Sequence, residues 1–198
     1  MNDSDWSVGV KSVFAKKFKE LGGKVVADES MAADERDLRA QIVKIMAGEP
    51  ELVYFPSHPE AGSIGIRQIR EMGLSVPILG GDMWDEGMLQ KIGKIAEGVQ
   101  FTVTAEATLP TQFLNAVRDK LGNDEMNVYG PRAYDAVKIL ASIINKVGYD
   151  ADKIKAELYK IKNYHGIADT YTIDKNGDVS SASYDVKEFR NGKLSTVN

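Results

Sequence analysis

The hydrophobic positions of residues 7–101 follow two periods in turn, which predicts a repeated helix–strand unit. Apolar residues recur every three or four positions in several segments, as on one face of an amphipathic helix: "SVGVKSVFAKKFKEL", "ERDLRAQIVKIMAG", "PEAGSIGIRQIREMG" and "DEGMLQKIGKI". Between them lie short apolar runs that are typical of buried strands: "KVVAD", "ELVYF", "VPILG" and "GVQFTV". Helices that alternate with such strands predict an α/β fold with a mostly parallel sheet.

The pattern changes at Ala105, where helical segments follow one another without strands between them. The stretches with helical spacing are "TLPTQFLNAVRDKLG", "VYGPRAYDAVKILASIINKVG" and "DADKIKAELYKI". Asp150 or Asp152 is the predicted N-cap of the last one, because an aspartate side chain accepts backbone hydrogen bonds at that position. The pattern of residues 105–165 therefore predicts helices that need a sheet to pack on, but no strand of such a sheet is predicted within these residues.

The last part of the chain, residues 166–198, predicts strands joined by turns at Asn176-Gly177 and Asn191-Gly192. Within it, "DKNGDVSSASYD" shares a spacing of acidic residues with calcium-binding loops. Such a loop needs glycine at its sixth position, where this sequence has Val179. A turn between strands is therefore the favoured interpretation.

Composition and charge narrow the class of protein. The 198 residues carry a net charge of −4 and no basic cluster, which argues against nucleic acid as a partner. Hydrophobic residues at 43% and charged residues at 27% are typical of a soluble globular domain. No apolar run approaches about 18 residues, so no membrane-spanning segment is predicted. The absence of cysteine excludes disulfides and thiolate metal sites.

The sequence contains no motif that indicates catalysis, a metal or a cofactor. His58 and His165 are too far apart in the chain to suggest a metal pair, and no zinc-protease motif occurs. The glycines of "GGDMWDEG" do not match a nucleotide-binding loop, and the carboxylates beside them would repel a phosphate. An enzyme on a flavodoxin-like sheet is the alternative, but it would need a nucleophile or a cofactor loop.

Candidate binding residues follow the predicted strands. In an open parallel sheet, ligands bind beyond the carboxyl ends of the strands. Ser57 and His58 follow "ELVYF", while Asp82 and Trp84 follow "VPIL". Trp6 stands just before the first helix, where a loop of the same kind would lie. Aromatic side chains beside a carboxylate suit a small ligand with an ammonium group.

Each of these residues also has a purely structural interpretation. Asp82 is an equally good candidate for the N-cap of the helix predicted at residues 85–94. Trp6 and Trp84 are more often packing residues than ligand contacts. For His58 a structural or solvent-exposed role is favoured over a role in binding.

Six segments in a fixed order carry a resemblance to a known family. They are "DSDWSVGVKSVFAKKFKELGGKVVADE", "ELVYFPSHPEAGSIGIRQIREMGL", "VPILGGDMWDE", "GVQFTV", "YGPRAYDAVKILASII" and "HGIADTYTIDKNGD…VKEFRNGKL". Over essentially its whole length the chain resembles type I periplasmic solute-binding proteins, and within them the leucine/isoleucine/valine-binding proteins of branched-chain amino-acid ABC transporters. The resemblance implies three-layer α/β/α lobes with mostly parallel sheets, which close on a ligand by a hinge.

The resemblance also implies a division of the chain. Residues 1–104 and 166–198 would form the second, C-terminal ligand-binding lobe. Residues 105–165 would be a crossover and helices that normally pack on the first lobe, which, with any export signal, would lie outside this chain. The apolar faces of the helices at 113–147 should then be partly exposed and favour self-association.

The function implied by the resemblance is that of the substrate-binding component of an ABC transporter, or a fragment of one, for a small amino-acid-like solute. Its partners would be that ligand and a membrane permease, with no cofactor. Its location would be periplasmic or extracellular, as a soluble or lipid-anchored protein. The alternative is a ligand-sensing regulatory domain of the same fold.

For the candidate site, the resemblance gives a role to four of the five residues, all except Trp84. Asp82 occupies the place of the acidic residue that holds the ligand's ammonium group, and Trp6 that of an aromatic residue lining the cleft. His58 is the closest match to a ligand-facing residue, often tyrosine, and Ser57 would share its role. The groups that hold the ligand's carboxylate would belong to the first lobe.

Overall fold

The computed structural model of the protein describes residues 5–32, 34–123 and 126–197. The helices are α1 (Asp5–Glu20), α2 (Arg39–Met46), α3 (Pro59–Glu71), α4 (Glu86–Ile92), α5 (Thr111–Leu121), α6 (Gly130–Val147) and α7 (Ala151–Leu158), with a short 3-10 turn at Gly93–Ala96. The strands are β1 (Val53–Phe55), β2 (Ile78–Gly80), β3 (Gln100–Thr104), β4 (Tyr164–His165), β5 (Thr170–Tyr171), β6 (Tyr184–Arg190) and β7 (Lys193–Thr196).

The chain divides into two compact units. The sheet unit comprises Met1–Val103 with Asp185–Asn198, and the helical unit comprises Thr104–Tyr184. The chain returns from the helical unit to the sheet unit between residues 184 and 185. The lobe boundary expected from the sequence lies earlier, between residues 165 and 166. Compactness does not assign a segment to a lobe of a longer protein, so that assignment stays a prediction.

The sheet unit is built on a mixed sheet of five strands in the order β1-β2-β3-β6-β7. Strands β1, β2 and β3 pair in parallel, and β6 and β7 form an antiparallel hairpin. The hairpin turns at Asn191 and Gly192, whose φ angles of 52° and 79° fit the left-handed positions of a tight turn. The predicted α/β fold and this predicted turn are confirmed.

Large apolar side chains fill the core of the sheet unit. Trp84, Phe101 and Phe189 are its largest fully buried members. Phe189 comes from the C-terminal hairpin, and its backbone N–H donates to the carbonyl of Val99 at 2.9 Å. The C-terminal hairpin is therefore part of this core and extends the sheet beyond β3.

The apolar run "KVVAD" forms no strand, which corrects the expectation from the sequence. Residues 24–28 have no regular structure, and Val25 and Val26 are 36% and 42% exposed. Instead of pairing, this run and β1 line one groove of about 780 Å³. The reason is that a β-branched sequence becomes a strand only beside another strand, and the described residues place none next to this run.

In the helical unit, a buried carboxylate fixes the turn that follows the helices. Asp135 of α6 is 2% exposed. It accepts hydrogen bonds from the backbone N–H groups of Ile167 and Ala168 at 2.8 and 2.9 Å, and from the hydroxyl of Tyr171 at 2.8 Å. Burial, and then this hydrogen bond to Asp135, raise the pKa of Tyr171. The segment that carries β4 and β5 is thereby held on α6.

An ion pair supports the same turn. Nε of Arg132 lies 2.8 Å from a carboxylate oxygen of Asp169, and both side chains are largely buried. The guanidinium of Arg132 also donates to the carbonyl of Ala105 at 2.7 Å. Because Arg132 stands one turn before Asp135 on α6, the two residues hold successive parts of the segment.

The capping and turn residues of the helical unit are those predicted from the sequence. Asp150 caps α7 by accepting a hydrogen bond from the backbone N–H of Lys153 at 3.1 Å. This bond, and then a hydrogen bond from the side chain of Lys153, lower the pKa of Asp150. The carboxylate of Asp174 accepts from the backbone N–H groups of Asn176 and Asp178 at 2.8 and 2.9 Å. The stretch that shares acidic spacing with calcium loops is therefore a turn, as expected.

The apolar side of α6 is partly exposed, as the sequence predicts. Val137 is 65% exposed and Leu140 is 40% exposed, while Ile139 and Ile143 are buried. On α5, no residue is fully buried. The helical unit therefore presents apolar surface that its own residues do not cover.

Among the described residues, no helix combines the length and the hydrophobicity that crossing a bilayer requires. The same residues contain no cluster of three or more histidine, cysteine, aspartate or glutamate side chains arranged to hold a metal ion.

Candidate functional site

Two loops and the start of α1 meet at the edge of the sheet where β1 and β2 end. The rings of Trp6 and His58 lie with their centroids 5.9 Å apart, inclined at 60°. A Cβ atom on Gly81 would lie 3.4 Å from Cη2 of Trp6 and 3.5 Å from Cα of Pro56. The structure thus brings His58 and the loop of Asp82 together, as expected for the carboxyl ends of parallel strands. Trp6 lies beside them in the first turn of α1, and not ahead of that helix as the sequence suggested.

Tyr54 is a member of this cluster that the sequence reasoning missed. Burial, and then the charge of Asp82, raise the pKa of Tyr54 to about 12, so the phenol and this carboxylate lie close enough to interact. The ring of Tyr54 stacks on that of Phe14, with centroids 3.8 Å apart. The available signal was a single hydroxyl in the otherwise apolar strand β1, Val53–Phe55.

Asp82 is not the cap of the following helix, so that alternative is wrong. The N-cap of α4 is Asp85, whose carboxylate accepts from the backbone N–H of Met88 at 2.7 Å. Asp82 lies three residues earlier, directly after Gly81, and its side chain is partly exposed. The carboxylate of Asp82 therefore belongs to the strand-end loop and stands at the surface of the cluster.

Ser57 and Trp84 lie beneath that surface. Ser57 is fully buried and Trp84 is 2% exposed. The indole N–H of Trp84 donates to the carbonyl and the hydroxyl oxygens of Ser57 at 3.0 and 3.1 Å. Trp84 therefore holds the backbone that precedes His58. A direct contact of Ser57 or Trp84 with a ligand stays a prediction.

The position of Trp84 depends on two glycines. A Cβ atom on Gly80 would lie 2.2 Å from the indole, and one on Gly62 would lie 2.7 Å from it. Phe55 meets the same indole edge-on, with ring centroids 6.0 Å apart. Trp84 therefore fits at the ends of β1 and β2 because Gly80 and Gly62 carry no side chain, and a larger residue at either position would overlap with the indole.

We expect the substitution Asp82→Asn to lower the pKa of Tyr54 from about 12 while leaving it above the ordinary value of 10.0, because burial remains the larger cause. A raised pKa also means that the folded state holds the phenol proton more tightly than the unfolded chain. The contribution of Tyr54 to stability is therefore complete below pH 10 and is lost as the pH rises towards about 12.

The pKa of Tyr54 can be followed by NMR of ¹³C-labelled tyrosine, with Tyr54→Phe identifying the resonance. Asp85→Asn is the matched control, since it removes a neighbouring carboxylate but keeps a side chain that can cap α4. An unchanged Tyr54 titration in Asp82→Asn would contradict the proximity of the two groups.

Comparison with known proteins places this chain in a family. A profile described as "Periplasmic binding protein" matches residues 1–192. The chain belongs to the periplasmic binding protein family. The resemblance on which the sequence analysis relied is therefore confirmed, together with the α/β fold that it implied.

Named relatives of this periplasmic binding protein chain are themselves binding proteins. The Leu/Ile/Val-binding protein homolog 3 of Brucella melitensis is 26% identical over 190 residues, covering 94% of this chain and 52% of the relative. An amino acid binding protein of Pseudomonas aeruginosa is 29% identical over 195 residues, covering 96% and 52%. These relatives are binding proteins rather than enzymes, in agreement with the absence of a catalytic motif.

Solved structures agree with this placement. The leucine-binding protein LivK from Thermotoga maritima superposes with a TM-score of 0.84 at 30% identity, covering 99% of this chain and 57% of that one. LivJ from Streptococcus pneumoniae, solved in complex with isoleucine, gives a TM-score of 0.73 at 26% identity, covering 99% and 57%. This chain therefore spans about half the length of the curated relatives that it matches.

Proposed function

We propose that this chain is part of the substrate-binding component of an ABC transporter, and that it binds a small amino-acid-like solute. The observation that carries the proposal is the meeting of Trp6, His58 and the Asp82 loop at one end of the parallel strands. Relatives named as leucine-, isoleucine- and valine-binding proteins support the choice of ligand class.

The chemistry of the cluster suits an ammonium group. The carboxylate of Asp82 would accept charge-assisted hydrogen bonds from the ligand's ammonium, and the indole of Trp6 would offer an aromatic face to the same cation. Because the pKa of Tyr54 is raised to about 12, its phenol keeps its proton at neutral pH. A neutral phenol near Asp82 would leave the charge of that carboxylate available to the ligand's ammonium.

The remainder of the site would come from a second lobe. In this proposal residues 1–104 and 166–198 form one lobe, and residues 105–165 are the crossover and the helices of the other. The ligand would lie in the cleft between the lobes, which would close on it by a hinge. The groups that bind the ligand's carboxylate would belong to the part of the relatives that has no counterpart here.

The partner of such a receptor would be a membrane permease. The protein would act in the periplasm or outside the cell, as a soluble or lipid-anchored receptor. The binding step itself would make and break no covalent bond, so the receptor would need no cofactor.

Calorimetry with L-leucine, on the complete two-lobed protein that contains this chain, tests the proposal. N-acetyl-L-leucine is the matched ligand control, because it keeps the side chain and the carboxylate but lacks the ammonium group. We expect binding of branched-chain amino acids and none of the acetylated analogue. Equal affinity for the two would overturn the assignment of ammonium recognition to this edge of the sheet.

We also expect this chain alone to self-associate through the apolar side of α6, where Val137 and Leu140 are 65% and 40% exposed. Sedimentation velocity measures the association. The double substitution Val137→Glu with Leu140→Glu should shift the population towards monomer. Ser142→Glu, at an exposed position of the same helix, is the matched control and should leave it unchanged. A chain that is monomeric at every concentration would contradict this expectation.

A further inference from the structure

The side chain of Trp84 lies below the surface at which a ligand of the candidate site would bind. Only 2% of it is exposed. The indole packs against Gly80 at the end of β2, against Gly62 near the start of α3, and against the ring of Phe55. An effect of Trp84 on a ligand must therefore pass through the residues that its indole holds.

A chain of hydrogen bonds leads from Trp84 to His58. The indole N–H donates to the carbonyl and the hydroxyl oxygens of Ser57, at 3.0 and 3.1 Å. The hydroxyl of Ser57 in turn donates to the carbonyl of His58 at 3.2 Å. A serine hydroxyl carries one proton, so the proton of the fully buried Ser57 is already committed to His58. The indole, the hydroxyl and the carbonyl thus form one directional series.

The carbonyl of His58 is held from a second direction by α3. It accepts the hydrogen bond of the backbone N–H of Gly62 at 2.9 Å, which is the first bond of that helix. The ring of His58 lies beside that of Trp6, with centroids 5.9 Å apart. Because the backbone of His58 is fixed both by the Ser57 hydroxyl and by α3, these bonds also fix the direction in which its imidazole points.

The main chain of Trp84 closes the turn that carries Asp82. The backbone N–H of Trp84 donates to the carbonyl of Gly81 at 3.3 Å, which closes a four-residue turn around Asp82 and Met83. Trp84 therefore holds the loop of Asp82 through its main chain and the loop of His58 through its side chain. A substitution of Trp84 removes only the side-chain link, so the two can be separated by experiment.

We propose that Trp84 is a positioning residue of the candidate site, acting on the ligand through His58 rather than by direct contact. Its indole N–H, through Ser57, holds the imidazole of His58 beside Trp6, where a ligand bound to Asp82 would meet it. The inference rests on the proposed function, because it assumes a ligand bound at Asp82 and His58.

The substitution Trp84→Phe tests the proposal, because it removes the indole N–H but keeps an aromatic ring in the enclosed position. Calorimetry with L-leucine on the complete two-lobed protein should show a loss of affinity of roughly three- to tenfold, the size expected for one hydrogen bond. Ser57→Ala removes the hydroxyl link with a smaller change of volume. It should also lower the affinity, and it carries the test if Trp84→Phe fails to fold. Unchanged affinity in both variants would overturn the proposal.

A His58→Ala background separates positioning from a merely structural role. If Trp84 acts through His58, adding Trp84→Phe to His58→Ala should leave the affinity unchanged, while the loss of thermal stability caused by Trp84→Phe persists. An equal loss of affinity with and without His58 would overturn the proposal.

Phe189→Leu is the matched control for general destabilisation. It reduces another fully buried aromatic residue of the same core, on the C-terminal hairpin. This variant should lower the thermal stability and leave the affinity for L-leucine unchanged. A loss of affinity as large as that of Trp84→Phe would mean that destabilisation alone explains the result, which would overturn the proposal.

A measurement without ligand distinguishes failure of this inference from failure of the proposed function. The nuclear Overhauser effect between the ring protons of His58 and Trp6, expected from their contact, should weaken or disappear in Trp84→Phe. If the wild type does not bind L-leucine, the proposed function fails, yet a weakened effect would still support the positioning of His58 by Trp84. An unchanged effect would overturn that positioning, whether or not L-leucine binds.

Discussion

The substitution Asp82→Ala is expected to weaken amino-acid binding by the two-lobed protein by about 1.5–3 kcal/mol, which is the usual range for hydrogen bonds to a charged group. In affinity this is roughly a 10- to 150-fold loss. The physical reason is that alanine removes the only charge that we assign to the ligand's ammonium, while Trp6 keeps the shape of the site. Calorimetry with L-leucine measures the difference.

Two further measurements make the Asp82→Ala result specific. The pKa of Tyr54 in the same variant should fall but stay above 10.0, because burial is the larger cause of the shift and persists only where the surroundings of Tyr54 remain folded. Asp82→Asn should fall between the wild type and alanine, since its amide oxygen still accepts a hydrogen bond but carries no charge. Unchanged affinity in Asp82→Ala would remove this residue from the site.

The substitution Asp135→Ala is expected to destabilise the helical unit by about 3–5 kcal/mol, because it leaves three partly buried donors without their acceptor, and a donor kept from water costs about 1–3 kcal/mol. The donors are the N–H groups of Ile167 and Ala168 and the hydroxyl of Tyr171. Part of this cost is recovered if water reaches them. Urea unfolding followed by circular dichroism measures the free energy of unfolding, and amide exchange at Ile167 and Ala168 reports on the turn itself.

Two control substitutions accompany Asp135→Ala. One changes the same residue more conservatively, and the other removes an aspartate from a different helix. Asp135→Asn keeps one side-chain acceptor and should cost less than alanine. Asp152→Ala removes an exposed carboxylate from α7 and should change the free energy of unfolding by less than about 0.5 kcal/mol. A cost below about 1 kcal/mol for Asp135→Ala would mean that the buried carboxylate does not hold the segment with β4 and β5.

Features that depend on a few adjacent residues were predictable from the sequence. The helices α3, α5 and α6 end where glycine follows, at Gly73, Gly122 and Gly148, with φ angles of 75°, 79° and 75°. These angles are ones that other residues rarely adopt, so a glycine after a helical pattern identifies the end of the helix. The convergence of the loops after β1 and β2 was predictable as well, because it follows from parallel pairing.

Features that depend on distant partners were not predictable. The run "KVVAD" has the composition of a strand, but a strand also needs a neighbour to hydrogen-bond with. Tyr54 lies within a strand rather than after one, so its position in the sequence does not mark it as a residue of a strand-end loop. The donors to Asp135 are 32 to 36 residues away, and two of them are backbone N–H groups that carry no sequence signal.

The unequal burial of the two tryptophans has a spectroscopic consequence. The sequence contains only Trp6 and Trp84, of which Trp84 is 2% exposed and hydrogen-bonded while Trp6 is partly exposed at the candidate site. Trp84 should therefore emit at shorter wavelength and resist iodide quenching, while the fluorescence of Trp6 should be accessible to it. The difference between the two emissions provides an intrinsic optical readout of occupancy at the strand ends, without a label.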